Sequence, residues 1–204
     1  MEMETSRNTQ SGRRAVFLDR DGTVNEEVGY VCDRTQFRLY DYAAEAVRLL
    51  NQAGWLAIVV TSQAGIARGM FTESFLTQIH EQMKTELTDA GATIDAIYYC
   101  PHHPTEGESP YRQECDCRKP KPGMLTKAAA ELNVDLAASV VIGDRFRDLG
   151  MAQAVGARSV LVLTGYGREE LETDSANWPQ QPDHIAENLL EAVRWVIKQS
   201  STKF

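Results

Sequence analysis

The sequence predicts an α/β protein built on one open, doubly wound parallel sheet, and three observations carry that expectation. Short apolar, β-branched runs alternate with stretches of helical period from residue 15 onward. Several of those runs end on a carboxylate or a hydroxyl residue, and sheets of this kind bind ligands beyond the carboxyl ends of their strands. The 204 residues, 43% of them hydrophobic and 25% charged, suit one domain with a full core.

Residues 15–18 form an apolar run that feeds Asp19-Arg20-Asp21-Gly22, so they read as a buried strand opening into a loop. Residues 42–52 carry Ala43, Ala46, Val47 and Leu50 at helical spacing, with Ala53 beyond them and Gly54 as the stop. Residues 56–60 read as a second buried strand that ends at Thr61 and Ser62. Thr72 is an N-cap for a helix with Phe75, Leu76, Ile79, Met83 and Leu87 on one face, closed by Gly91. Residues 94–99 are the third strand. A helix begins at Pro122 and runs to about Leu132, since proline suits the first turn. Residues 139–142 are a strand ending in Gly143-Asp144, and residues 147–155 a short helix stopped by Gly156. Residues 159–163 form a further strand. Gly165-Tyr166-Gly167 reads as a loop bend, and residues 187–198 as a last helix with Leu189, Leu190, Val193 and Ile197 inward.

Composition excludes several classes. The 21 basic and 29 acidic side chains give a net charge of -8, which repels a nucleic-acid backbone unless a basic stripe is present. The densest basic stretch, Arg118-Lys119-Pro120-Lys121, is too short to track a phosphate backbone and long enough to hold one phosphate. The longest apolar run, residues 55–60, falls far short of the ~20 residues of a membrane helix. Residues 1–12 read as a disordered tail without a signal peptide, and Arg13-Arg14 is followed too soon by Asp19 for a twin-arginine signal. A cytoplasmic protein is expected, with one domain over residues 13–204 and no repeat or linker.

Asp19-Arg20-Asp21-Gly22-Thr23 is the most informative stretch. Two carboxylates at i and i+2 at a strand mouth face one cavity if the chain turns, and Gly22 permits the turn. Such a pair is costly without a cation between its members. Oxygen ligands suit Mg²⁺, and Mg²⁺ suits a phosphate substrate. A bare Asp-x-Asp is usually only a turn; here a buried strand precedes it and partners follow downstream.

Cys100-Pro101-His102 and Cys115-Asp116-Cys117 form two close ligand pairs, and three thiolates with one imidazole make the closed set of a structural Zn²⁺ site. His103 competes with His102 for the fourth position. The loop over about 100–118 and the residues after it hold Pro101, Pro104, Pro110, Pro120 and Pro122 and few large apolar groups, so an ion that contributes on the order of 10 kcal/mol in small peptides is a reason for it to order. His80 and His184 have no partners in sequence and read as surface or packing residues.

Four motifs in order resemble the haloacid dehalogenase (HAD) superfamily of phosphohydrolases. They are Asp19 to Thr23, then Thr61, then Lys119, then Gly143-Asp144 with Asp148. The resemblance covers residues 14 to about 165. It implies a Rossmann-like sheet of the HAD fold and covalent phosphoryl transfer, with Asp19 as nucleophile and Asp21 as general acid and base. It also implies Thr61 and Lys119 as stabilisers of the phosphoryl oxygens, and Mg²⁺ held by Asp19, Asp144 and the backbone carbonyl of Asp21. Residues 24–55 and 64–118 leave no room for a cap domain, which points to the histidinol-phosphatase-like branch.

Within that branch, residues 17–23, 65–69, 98–104 and 115–120 resemble a sugar-bisphosphate phosphatase subgroup that serves the nucleotide-heptose supply for lipopolysaccharide core or related glycans. By position, Glu27, Val28, Gly29 and Tyr30, then Ser62, Gln63 and Ala64, then Arg118 and Arg145, are expected to bind substrate, with Arg118 on the non-reacting phosphate or the sugar. The resemblance favours His102 as the fourth zinc ligand. Thr61-Ser62-Gln63 and Gly143-Asp144-Arg145 depart from the subgroup's Thr-Asn-Gln and Gly-Asp-Lys. The expected partner is a small phosphorylated sugar, with no nucleic acid and no membrane, and the expected state is a monomer. The competing readings are a histidinol-phosphate phosphatase, a DNA 3′-phosphatase, which the charge opposes, and a zinc-stabilised module without catalysis.

Overall fold

The four apolar residues after Arg14 form strand β1 (Ala15–Leu18), with every side chain buried. Alternation sends Val16 and Leu18 to one face and Ala15 and Phe17 to the other, and each face has its own packed layer. The computed structural model of the chain describes residues 12–201. Of the expected tail, residues 1–11 lie outside the described residues, while Gly12 lies hard against Asp135.

The other strands are β2 (Leu56–Ser62), β3 (Ala96–Cys100), β4 (Val140–Gly143), β5 (Arg158–Val162) and β6 (His184–Ala186). All pair in parallel in the order β3-β2-β1-β4-β5-β6. Helices α1 (Ala43–Gln52), α2 (Glu73–Asp89) and α6 (Leu189–Ser201) cover the face holding Val16 and Leu18. Helices α3 (Gly123–Leu132) and α4 (Phe146–Val155) cover the face holding Phe17 and Ile58. A short helix, α5 (Gly167–Asp174), follows β5. No helix is long and apolar enough to cross a membrane among the described residues.

The strand order reverses between β1 and β4, and such a reversal opens a crevice at the carboxyl ends. Leu18 pairs with Val59 on one side and Ile142 on the other. The residues after β1 and β4 therefore meet at one level, and the Asp19 amide donates to the Ile142 carbonyl at 2.9 Å. Among the described residues no inserted domain stands over this crevice; residues 19–42 hold one short helical element, the 3₁₀ turn Arg34–Gln36.

Several expected boundaries shift. β2 runs two residues further than expected, so Thr61 lies inside the strand. β3 starts two residues later than expected and reaches Cys100. The last helix starts at Leu189, and its fully buried stripe is Leu189, Ala192, Val193 and Val196, with Leu190 and Ile197 only partly buried against it. The sequence reading missed α5 and β6. α5 buries only Gly167 and has no apolar stripe. β6 is a three-residue edge strand with Ile185 exposed. Thr72 caps α2 as expected, its hydroxyl accepting from the Phe75 amide at 3.1 Å.

The start of β1 depends on one hydroxyl. Ser139, fully buried, accepts from the Ala15 amide at 3.0 Å and donates to the Asp135 carbonyl at 2.6 Å. Ser139→Ala leaves a buried amide without that partner, which costs about 1–3 kcal/mol. Urea unfolding is expected to show that loss while kcat is unchanged, because this end of β1 is remote from the crevice.

Candidate active site

Asp19 leaves β1 at the crevice and is almost fully buried. Its Oδ1 accepts from Lys119 Nζ at 2.6 Å, and the same ammonium donates to Asp148 Oδ1 at 2.6 Å. Burial raises the Asp19 pKa to about 6; Lys119 opposes that rise, and the neighbouring Asp148 and Asp21 carboxylates add to it. Burial works against the charge of Lys119, yet Asp148 and Asp19 outweigh it and raise its pKa. Asp148 is itself pinned by the Arg145 amide at 3.0 Å, on the first turn of α4.

Asp144 follows β4 and is buried. Its Oδ2 accepts from the Tyr166 amide at 2.9 Å, while its Oδ1 is buried with no hydrogen-bond partner. Burial, then the Asp19 and Asp148 carboxylates, raises its pKa well above the ordinary value. Gly22 (φ 81°) and Gly165 (φ 54°) pass so close that a Cβ on either would overlap the Asp144 carboxylate. Carboxylate oxygens of Asp19, Asp144 and Asp148 lie within 4.8 Å of one another. A cluster of three buried carboxylates, one of them with an orphaned oxygen, fits a hard divalent cation such as Mg²⁺. Asp148, with its oxygens taken by Lys119 and the Arg145 amide, is the least available of the three.

Asp21 is held differently. Its Oδ1 accepts from Arg20 Nε at 3.2 Å, Arg20 Nη2 at 2.9 Å and Asn25 Nδ2 at 3.0 Å; its Oδ2 accepts from Gln63 Nε2 at 3.0 Å. Burial favours its neutral form, but Arg20, Asn25 and Gln63 outweigh it and lower the pKa. Gln63 also donates to Thr61 Oγ1 at 2.8 Å, so one amide orients both side chains. Arg20 is fully buried and its Nη1 lies 3.4 Å from His80 Nε2. Burial and the Arg20 charge depress the His80 pKa to about 3, which keeps the ring neutral against the guanidinium.

These groups open on a cavity of about 220 Å³. Of the expected site residues, Asp19, Asp21, Glu27, Gly29, Tyr30, Thr61, Ser62, Ala64, Arg118 and Asp144 line it. Lys119 and Gln63 stand behind the lining. Val28 is exposed outside it. Arg145 is not in the lining either: its guanidinium stacks 3.4 Å from the Tyr166 ring centroid and pairs with Glu170 at 3.3 Å. Arg68, Arg147 and Tyr166 line the cavity and were not anticipated. The Gly165-Tyr166-Gly167 bend is thus part of the site. His80 had a readable signal, since Leu76, His80, Met83 and Leu87 fall on one helical stripe. Nothing in the sequence marks Arg20 as buried.

The Cys/His loop grows from the end of β3. Cys100 Sγ lies 3.6 Å from Cys115 Sγ, Cys117 Sγ 3.2 Å from Cys115 Sγ, and His102 Nδ1 3.3 Å from Cys117 Sγ and 3.9 Å from Cys100 Sγ. Tetrahedral Zn²⁺ with Zn–S of ~2.3 Å needs S–S edges of roughly 3.8 Å, so the four donors are near the right separation. Hydrogen bonding to Cys100 and burial push the Cys117 thiol up, a crowding that a soft cation would reverse. His103 is turned away, its Nδ1 accepting from the amides of Glu106 at 3.0 Å and Thr105 at 3.3 Å. The loop is tied to the crevice by the Gln63 amide on the Cys100 carbonyl at 2.7 Å and by Arg118 Nη1 on the His102 carbonyl at 3.0 Å.

Comparison with known proteins agrees with this geometry. A HAD-hydrolase-like family model matches residues 116–192. The D-glycero-beta-D-manno-heptose-1,7-bisphosphate 7-phosphatase of Pasteurella multocida (strain Pm70) is 47% identical over 169 residues, covering 81% of this chain and 90% of that protein. The protein of the same name from Escherichia coli (strain K12) is 45% identical over 166 residues, covering 80% and 86%. The crystal structure of D,D-heptose 1.7-bisphosphate phosphatase from B. bronchiseptica, complexed with magnesium and phosphate, superposes with a TM-score of 0.80 at 34% identity, covering 91% of this chain and 99% of that one. With that identity and coverage added to the crevice, the chain belongs to the HAD-type family of D-glycero-beta-D-manno-heptose-1,7-bisphosphate 7-phosphatases.

Proposed function

We propose that the chain removes the C7 phosphate of D-glycero-beta-D-manno-heptose 1,7-bisphosphate, through a phosphorylated Asp19. The observation that carries the reading is the buried Asp19–Lys119–Asp148 bridge at the mouth of β1. The names of the relatives supply the substrate.

Asp19 attacks phosphorus, and the C7 oxygen leaves with a proton from Asp21. Asp21 then takes a proton from the water that attacks the same phosphorus, which releases phosphate and restores Asp19. The free cavity holds Asp21 ionised. A phosphate dianion arriving beside it raises its proton affinity and makes it an acid. Lys119 and the Thr61 hydroxyl would meet the charge on the phosphoryl oxygens. Asp19, Asp144 and the Asp21 carbonyl would hold Mg²⁺, which when bound supplies positive charge against the phosphoryl oxygens. Cys100, His102, Cys115 and Cys117 would hold a structural Zn²⁺ that fixes the loop carrying Arg118 and Lys119. Thiols that must stay reduced to bind it support a cytoplasmic setting.

The test is a panel of the two heptose bisphosphate anomers, histidinol phosphate and fructose 1,6-bisphosphate, with the beta anomer expected to give the highest kcat/KM. Preference for histidinol phosphate would refute the substrate assignment. Asp19→Asn is expected to lower kcat by roughly 10⁴-fold or more and to abolish the phosphoryl adduct seen by mass spectrometry, with an unchanged circular dichroism spectrum. Elemental analysis of protein purified under reducing conditions is expected to find one zinc per chain. Cys117→Ser is expected to lose the metal and lower Tm; protein without zinc that keeps the same Tm would sink the loop assignment. Arg118→Ala is expected to raise KM for the bisphosphate by tenfold or more with a smaller loss of kcat, whereas Lys119→Ala depresses kcat.

A further inference from the structure

Four arginines stand at or beside the cavity; two of them are committed and a third partly so. Arg68 pairs with Glu106 through Nε at 3.1 Å and Nη2 at 3.1 Å, and lies over the Tyr30 ring. Arg118 donates Nη1 to the His102 carbonyl. Arg145, also expected to touch substrate, is stacked on Tyr166 and paired with Glu170. Arg147 is the exception. It lines the cavity with an exposed side chain and makes no side-chain hydrogen bond or ion pair among the described residues.

Its position is also unfavourable without a use. Arg147 is the second residue of α4, where the helix dipole disfavours a cation. The carboxylates whose charges it feels, Asp148, Asp19, Asp144 and Glu170, already have their own partners. None of them lies within ion-pair distance of its guanidinium among the described residues, so Arg147 is not there to neutralise a fixed neighbour.

We propose that Arg147 binds the non-reacting phosphate of the sugar bisphosphate and, with Arg118, sets the preference for a bisphosphate over a monophosphate. A free guanidinium in a cavity whose Asp19 end would take the reacting group offers a planar fork to a second dianion. The inference rests on the bisphosphate reading above. It adds Arg147 to the distal contact expected of Arg118, and Arg145, two positions earlier, takes no part because Tyr166 and Glu170 hold it away.

The test compares heptose 1,7-bisphosphate with heptose 7-phosphate, which lacks the distal group, in the wild type, Arg147→Ala, Arg147→Lys and Arg147→Glu. Arg147→Ala is expected to raise KM for the bisphosphate about tenfold with kcat within threefold, and to leave heptose 7-phosphate unchanged. Arg147→Glu is expected to be worse and Arg147→Lys to recover part of the loss. Inhibition by inorganic phosphate, which occupies the Asp19 end, is expected to be unaltered. Equal damage to both substrates, or weakened inhibition by phosphate, would place Arg147 on the reacting group and overturn the proposal. An unchanged ratio of kcat/KM between the two substrates overturns it as well. A wild type that does not distinguish them would instead overturn the bisphosphate reading, so the two failures separate.

Discussion

One buried ammonium organises this molecule. Lys119 is almost out of water, and a charge so placed is tolerated only where its partners are fixed in advance. Asp19 comes from β1 and Asp148 from α4, 129 residues apart in sequence, and both meet Nζ at 2.6 Å. Each of the three arrives on a different element, so the bridge requires β1, the Cys/His loop and α4 to be in place together. Removing the lysine would leave three carboxylates facing one another in a poorly solvated crevice, since Asp144 lies within the same cluster.

The Cys/His loop is coupled to that bridge by backbone as well as by sequence. The Gln63 amide holds the Cys100 carbonyl while the Gln63 side chain orients Asp21 and Thr61. Position 123 has no room for a side chain: a Cβ there would overlap the Asp116 carbonyl, to which the Gly123 amide donates at 2.9 Å. The loop therefore closes onto the start of α3 on one side and onto β2 on the other. Fixing the four donors fixes the position of the lysine two residues past Cys117.

Much of this was legible. Continuous apolar runs found β1, β2, β4 and β5, helical spacing found α1 and α2, and Pro122 and Gly156 helped to place α3 and α4, all within a few residues. Asp19, Asp21, Thr61, Asp144 and Lys119 were legible because each stands next to a strand end or a distinctive neighbour. β6 and α5 were not, since a three-residue edge strand and a polar eight-residue helix bury too little to leave a pattern. The fates of the arginines were least legible. Arg20 is buried, Arg145 is stacked on an aromatic ring and Arg147 is exposed in the cavity, and only tertiary contacts separate residues so alike in sequence.

The sheet order has a consequence for how the chain is made. β1 is synthesised first, pairs with β2 on one edge, and waits for β4 on the other through about 120 intervening residues. Until residue 143 has emerged from the ribosome, the strand that leads to Asp19 is an open edge of four wholly apolar residues. A chain interrupted before that point, by a nick or a premature stop, retains Asp19 but presents a template for pairing with other chains. The centre of the finished sheet is the exposed margin of the unfinished one.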